Sequence, residues 1–209
     1  MGSFARKLAA LLFLMAVAGC AAWCRSSGTA RGIYYTRHPA DRVQVIYVPV
    51  YADESFDDRV RDNIRIALWH WNRTLNGHLQ FVVADLAVKD LEDNIEVRHR
   101  IDLLDMGLEF VPSGFDEDTP GLLGLVRGAD LHVIHLNAEA EYAVDLSVVA
   151  MHEMAHTFGL GHTQVQGSLL FPIYSDQAPC VDEITAQTLA AVQGWNYQHL
   201  NWCEHPGAP

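Results

Sequence analysis

The 209-residue chain is long enough to bury one real core and too short for two comfortable ones. An apolar fraction of 50% with 19% charged residues excludes a disordered chain, and a formal net charge of -12 argues against nucleic acid as a partner. In chain order, Arg6 and Lys7 form a basic start, residues 8–18 are an apolar run too short for an ordinary membrane span, and small residues precede Cys20. Residues 1–19 therefore read as a signal segment. Residues 20–41 read as a tether or short leader, since 25–41 carries polar residues, Gly and Pro without sustained periodicity.

Val17-Ala18-Gly19-Cys20 resembles the lipobox of bacterial lipoproteins, in which the cysteine is lipidated and becomes the first mature residue. The resemblance implies a lipid-anchored protein of the bacterial cell envelope. Ala21 and Ala22, with no aspartate beside the cysteine, favour outer-membrane sorting in a Gram-negative cell. An ordinary secretory signal cut near Ala18 or Ala21 is the alternative. Either reading puts the domain in an oxidising compartment, where Cys180 and Cys203 are the expected disulfide because they flank the last helical segment.

The domain proper is expected over 42–209. Residues 42–50, RVQVIYVPV, alternate and are rich in β-branched side chains, which predicts a strand. Helical spacing of Val60, Ile64, Ile66, Ala67, Trp71 and Leu75 behind Ser55-x-x-Asp58 predicts an amphipathic helix over 55–75, stopped by Asn76-Gly77. Strands follow over 79–88 and 94–101. Residues 102–128 are broken by Pro112, Gly114, Pro120, Gly121, Gly124 and Gly128 and read as a long surface excursion. Within it Asp116, Glu117 and Asp118 read as a solvated turn, with a calcium site as the less favoured alternative. Residues 131–136 alternate as a strand, and 145–158 form a helix capped by Asp145.

That helix carries HEMAHTFGLGH, residues 152–162. His152 and His156 are four apart, so both imidazoles share one face and reach one metal ion. Glu153 is offset from that face and approaches a metal-bound water without ligating. A third ligand cannot continue along a straight helix. Gly159 solves this, because it adopts a left-handed conformation and turns the chain so that His162 points at the same ion. Three neutral imidazoles with one open position are the usual catalytic set for Zn²⁺. His132 and His135, just before this helix, are a weaker candidate for a second, structural metal.

HExxHxxGxxH resembles the metzincin metallopeptidases, and the nearest branch is the matrixins. The resemblance implies an α+β domain: a twisted, mostly parallel sheet, an active-site helix, and a C-terminal helix ending near Trp195. It implies His152, His156 and His162 as zinc ligands and Glu153 as general base. Ser168 to Pro172 resembles the family's methionine turn, with Leu170 where methionine is expected; leucine has nearly the same volume and cannot ligate. Gly121-Leu122-Leu123-Gly124-Leu125-Val126 resembles the substrate-facing edge strand, with Asp130-Leu131-His132-Val133 after it. Thr163 departs from the serine usual in matrixins. By the same resemblance Val148 shapes the floor of a substrate pocket, and Pro172, Ile173 and Tyr174 its wall.

These features imply a zinc-dependent endopeptidase hydrolysing extended peptides or proteins. One alternative is a metal-stabilised binding or assembly lipoprotein, and another is a cell-wall peptide amidase or carboxypeptidase. Cys24 lies before the domain, and matrixins are typically silenced by a leader cysteine on the zinc, so Cys24 is an inhibitory ligand, a free thiol or a disulfide partner.

Overall fold

A computed structural model describes residues 33–40, 45–83, 107–113, 122–127 and 130–204. Cys20, Cys24, the strand expected over 94–101 and the acids at 116–118 lie outside the described residues. The elements are β1 (Tyr34–Tyr35), β2 (Ile46–Ala52), α1 (Asp58–Leu75), β3 (Leu79–Val83), β4 (Leu108–Pro112), β5 (Gly124–Arg127), β6 (Asp130–Leu136), α2 (Leu146–Thr157), α3 (Glu183–Gln193) and β7 (Cys203–Glu204). Five strands form one sheet in the order β3-β2-β4-β6-β5. All neighbours in it are parallel except β5, which runs antiparallel to β6 at the edge. This is the expected α+β architecture.

Among the described residues two helices cover the sheet. α1 packs on β3, α2 packs on β5 and β6, and the helices pack on each other. Val60, Ile64, Ala67, Leu68, Trp71 and Leu75 form the buried stripe of α1. Trp71 is fully buried, and its indole N–H donates to the Met151 carbonyl at 3.1 Å, fixing α1 against the middle of α2. α2 has no polar stripe of comparable width, because nine of its twelve residues are buried.

Three sequence expectations need correction. Helix α1 starts at Asp58 rather than Ser55, because the Asp57 carboxylate accepts from the Val60 N–H at 2.9 Å, while Ser55 donates to Asp53 instead. Within the 102–128 excursion lies β4, a central strand paired in parallel with both β2 and β6. Leu108 and Phe110 alternate inward, but five residues beside Gly and Pro make a short pattern that only the neighbouring strands turn into a ladder. The tether assigned to 20–41 ends earlier than expected. Tyr34 and Tyr35 pair with Glu204 and Cys203, and the His38 N–H donates to Asn201 Oδ1 at 2.8 Å. This docked strap reaches the C-terminal tail, which the Cys180–Cys203 disulfide joins to the segment before α3.

His70 lies under the strap and is 5% exposed, with the Tyr35 hydroxyl hydrogen-bonded to its Nδ1 at 2.6 Å. Burial pushes its pKa down to about 4 from 6.5, against a smaller opposing pull from Asp145. The fold therefore favours the neutral ring. Its contribution is complete above the unfolded value and is lost as pH falls from 6.5 toward 4, by about 2–3 kcal/mol at pH 4.5. Urea unfolding of metal-free protein at pH 7.5 and 4.5 should show this much less acid loss in His70→Gln. Equal acid loss in both proteins would contradict the assignment.

Candidate metal centre and cleft

Helix α2 begins at Asp145, whose carboxylate accepts from the Ser147 N–H and hydroxyl at 3.0 and 2.6 Å. It ends at Phe158, where Gly159 takes φ +82°, a conformation that glycine adopts without a Cβ clash. The Gly159 N–H bonds the His156 carbonyl and the Leu160 N–H bonds the Ala155 carbonyl, so the chain reverses tightly. His162 is thereby returned to α2.

The Nε2 atoms of His152 and His156 are 3.1 Å apart, and those of His152 and His162 are 3.2 Å apart. The Nδ1 atoms face backbone carbonyls: His152 faces Leu169 at 2.6 Å and His156 faces Leu160 at 2.7 Å. A carbonyl only accepts, so both Nδ1 atoms carry the proton and, in the neutral rings, both Nε2 atoms present lone pairs. Two lone pairs this close repel each other unless a cation lies between them. A tetrahedral ion with bonds of about 2.0–2.1 Å needs nitrogens roughly 3.3 Å apart. The donor set fits such an ion, and these three histidines are the one group of metal-ligand type among the described residues. His132 and His135 join no such group there. Burial also favours the neutral rings of His152 and His162, pushing His152 down to about 4 against a smaller opposing pull from the Leu169 carbonyl and lowering His162, each helped by repulsion from neighbouring rings.

Glu153 is 6% exposed and is pushed up to about 7 by burial, partly offset by a hydrogen bond from the Val126 backbone N–H. It lies against β5 at Gly124, where a Cβ would fall 2.6 Å from its Cγ and 2.7 Å from its Oε1. Glycine at 124 is thus what lets the carboxylate lie against the edge strand. Beneath the histidines runs the turn through Ser168, Leu169 and Leu170, with Leu170 1% exposed. The Thr163 N–H donates to the Leu170 carbonyl at 3.0 Å, tying the turn to the chain just after His162.

A cleft of about 740 Å³ runs over this centre between β5 and the segment after the turn. Val148, Pro172, Ile173 and Tyr174 all line it. Val148 is buried and Ile173 is 68% exposed, while the Tyr174 hydroxyl accepts from the Asp145 N–H at 2.9 Å and fastens the wall to the start of α2. Sequence reasoning missed Asp182. Its Oδ2 accepts from the Leu169 N–H at 2.7 Å, the Ser168 hydroxyl at 3.0 Å and the Thr185 hydroxyl at 2.9 Å, while Oδ1 accepts from the Thr185 N–H at 3.0 Å. Asp182 before Glu183-Ile184-Thr185 carries the signature of a helix cap. Nothing in that local pattern points to the turn 13 residues earlier.

Three imidazoles on a helix and its reversal, with a buried glutamate between them and a sheet edge, define a metallopeptidase centre of the metzincin type. The matrixin family model matches residues 45–194, and the chain belongs to that family of zinc-dependent metallopeptidases. No curated protein matches the chain.

Proposed function

We propose that the protein is a zinc endopeptidase that cleaves extended polypeptides and is held to the bacterial envelope, in the outer membrane, through a lipid on Cys20. His152, His156 and His162 would hold the ion through Nε2. Bound zinc supplies Lewis acidity and lowers the pKa of a coordinated water. Glu153 takes the proton from the attacking water and returns it to the departing amine. Burial helps, since a carboxylate denied solvent has a raised proton affinity, and a dication held by the three histidines would favour its ionised form before it takes the proton.

The observation that carries this reading is the placement of Glu153 between the histidine cluster and the edge strand β5. A closed structural zinc site would present a fourth protein ligand, and among the described residues the cluster has three. Among the described residues the outer edge of β5 has no strand beside it, so an extended peptide can add there by backbone hydrogen bonds. Val148, Pro172, Ile173 and Tyr174 then receive a hydrophobic side chain on the carboxyl side of the cleaved bond. No residue lining the cleft among those described is Lys or Arg, which favours internal cleavage over capture of a terminal carboxylate. From Cys20, the 13 residues before Tyr34 span at most roughly 45 Å, keeping the enzyme close to the membrane.

Incubating the zinc-loaded chain with a diverse peptide library tests the proposal. Cleavage at internal bonds before apolar residues is expected, stopped by a chelator and restored by Zn²⁺. Release of terminal residues alone, or no cleavage by protein that binds one zinc, would overturn it.

A further inference from the structure

We propose that the outer face of the C-terminal half of α1, with the strap beside it, docks on an anionic lipid headgroup surface and so fixes how the anchored domain sits on the bilayer. The inference rests on the lipid at Cys20 proposed above. Two observations support it: how charge and apolar surface are placed on this face, and where the tether enters the domain.

Arg65, Ile66, Trp69 and Arg73 share the side of α1 opposite the buried Ile64, Ala67, Leu68, Trp71 and Leu75. Ile66, expected on the buried stripe, is exposed there. Trp69 is 49% exposed, with the Arg73 guanidinium 5.4 Å from its ring centroid and the Tyr35 ring edge-on at 5.9 Å. An indole so held offers apolar surface beside polar groups, the combination that places aromatic side chains at headgroup level. Tyr34 and Arg37 are exposed on the strap.

Charge is distributed unevenly. Among the described residues every Lys or Arg is an arginine, and all lie on α1 or the strap except Arg127. Residues 63–83 contain no Asp or Glu, whereas from residue 128 to the end the chain has acids and no Lys or Arg. Asp62, paired with Arg65 at 2.7 Å, and Glu204, opposite Tyr34, border the face. In a chain of net charge -12, an anionic bilayer accepts this face and repels the acidic remainder.

The tether brings the same face to the membrane. Tyr35 lies against Trp69 and His70, so the chain arriving from Cys20 joins the domain beside Trp69. A short tether of this kind gives an effective concentration of roughly millimolar, at which a few arginines and one indole suffice. No residue of α1 or the strap lines the cleft, so docking leaves it open to substrate.

The test uses the full lipidated chain reconstituted in vesicles, with Trp23→Phe so that the tether carries no indole, and brominated lipid as quencher of tryptophan emission. Vesicles of mixed phosphatidylglycerol and phosphatidylcholine should quench, and about 1 M salt should relieve it. Trp69→Phe should remove most of the quenching. Arg65→Gln with Arg73→Gln should lower the docked-to-undocked ratio by about 30-fold, about fivefold for each arginine near the surface. Near-ultraviolet circular dichroism checks that each variant is folded. Quenching that survives Trp69→Phe, or that is equal in phosphatidylcholine alone, overturns the inference. Absence of quenching in both bilayers means that residues 21–33 or a second copy cover the face, and overturns it too. A chain whose mass shows no lipid on Cys20 overturns the anchor and this inference together, while the peptidase reading stands or falls by the peptide library.

Discussion

Glu153→Gln should retain zinc and fold normally while cleaving peptides about 10²–10⁴-fold more slowly, the range general acid–base catalysis supplies. Glutamine matches the volume of the carboxylate that lies against Gly124, so the edge strand need not move. It can still accept from the Val126 N–H, but it cannot take a proton from water. In metal-free protein the variant also removes a carboxyl that burial raises from 4.5 to about 7, so its fold should gain stability over wild type as pH rises from 4.5 through 7, where wild type must keep a buried charge. Steady-state cleavage of a peptide chosen from the library, paired with zinc titration of the same sample, separates the two effects. Activity within threefold of wild type would mean that another group takes the proton.

The account divides by the range over which each feature is encoded. His152, His156, Gly159 and His162 lie within eleven positions, so local helix geometry and one left-handed glycine suffice to bring the rings together, as the turn at φ +82° does. The stripe of α1 and the alternation of β2 and β6 are equally local. β4 was hidden because Leu108 and Phe110 make only two inward steps, and a strand that short is defined by the partners on either side. The start of α1 moved by three residues because Asp53 attracts Ser55 and leaves the cap to Asp57. Asp182 and the strap at Tyr34–Tyr35 act across long separations, 13 residues from Asp182 to Leu169 and more than 160 from Thr36 to Trp202. A single sequence carries no periodic signal for such pairs. The edge strand was legible only through the resemblance of Gly121 to Val126, since four residues with a bulge between Val126 and Arg127 carry little pattern of their own.

The second large effect concerns the third ligand. His162 is mostly exposed and stands on the loop after the reversal, so His162→Ala removes a donor without opening a cavity in the core. Zinc affinity should fall by more than the roughly 10–100-fold that loss of an outer partner causes, and hydrolysis should fall with it, while the metal-free unfolding midpoint stays near that of wild type. Retained tight binding would mean that another side chain completes the site. The measurement that reaches this point most directly is the zinc-edge X-ray absorption spectrum of the full chain loaded with one equivalent of Zn²⁺. The account predicts three imidazole nitrogens at about 2.0–2.1 Å with one further light atom from solvent. A sulfur scatterer at about 2.3 Å, as Cys24 would supply, or a first shell with fewer than three imidazoles would contradict it.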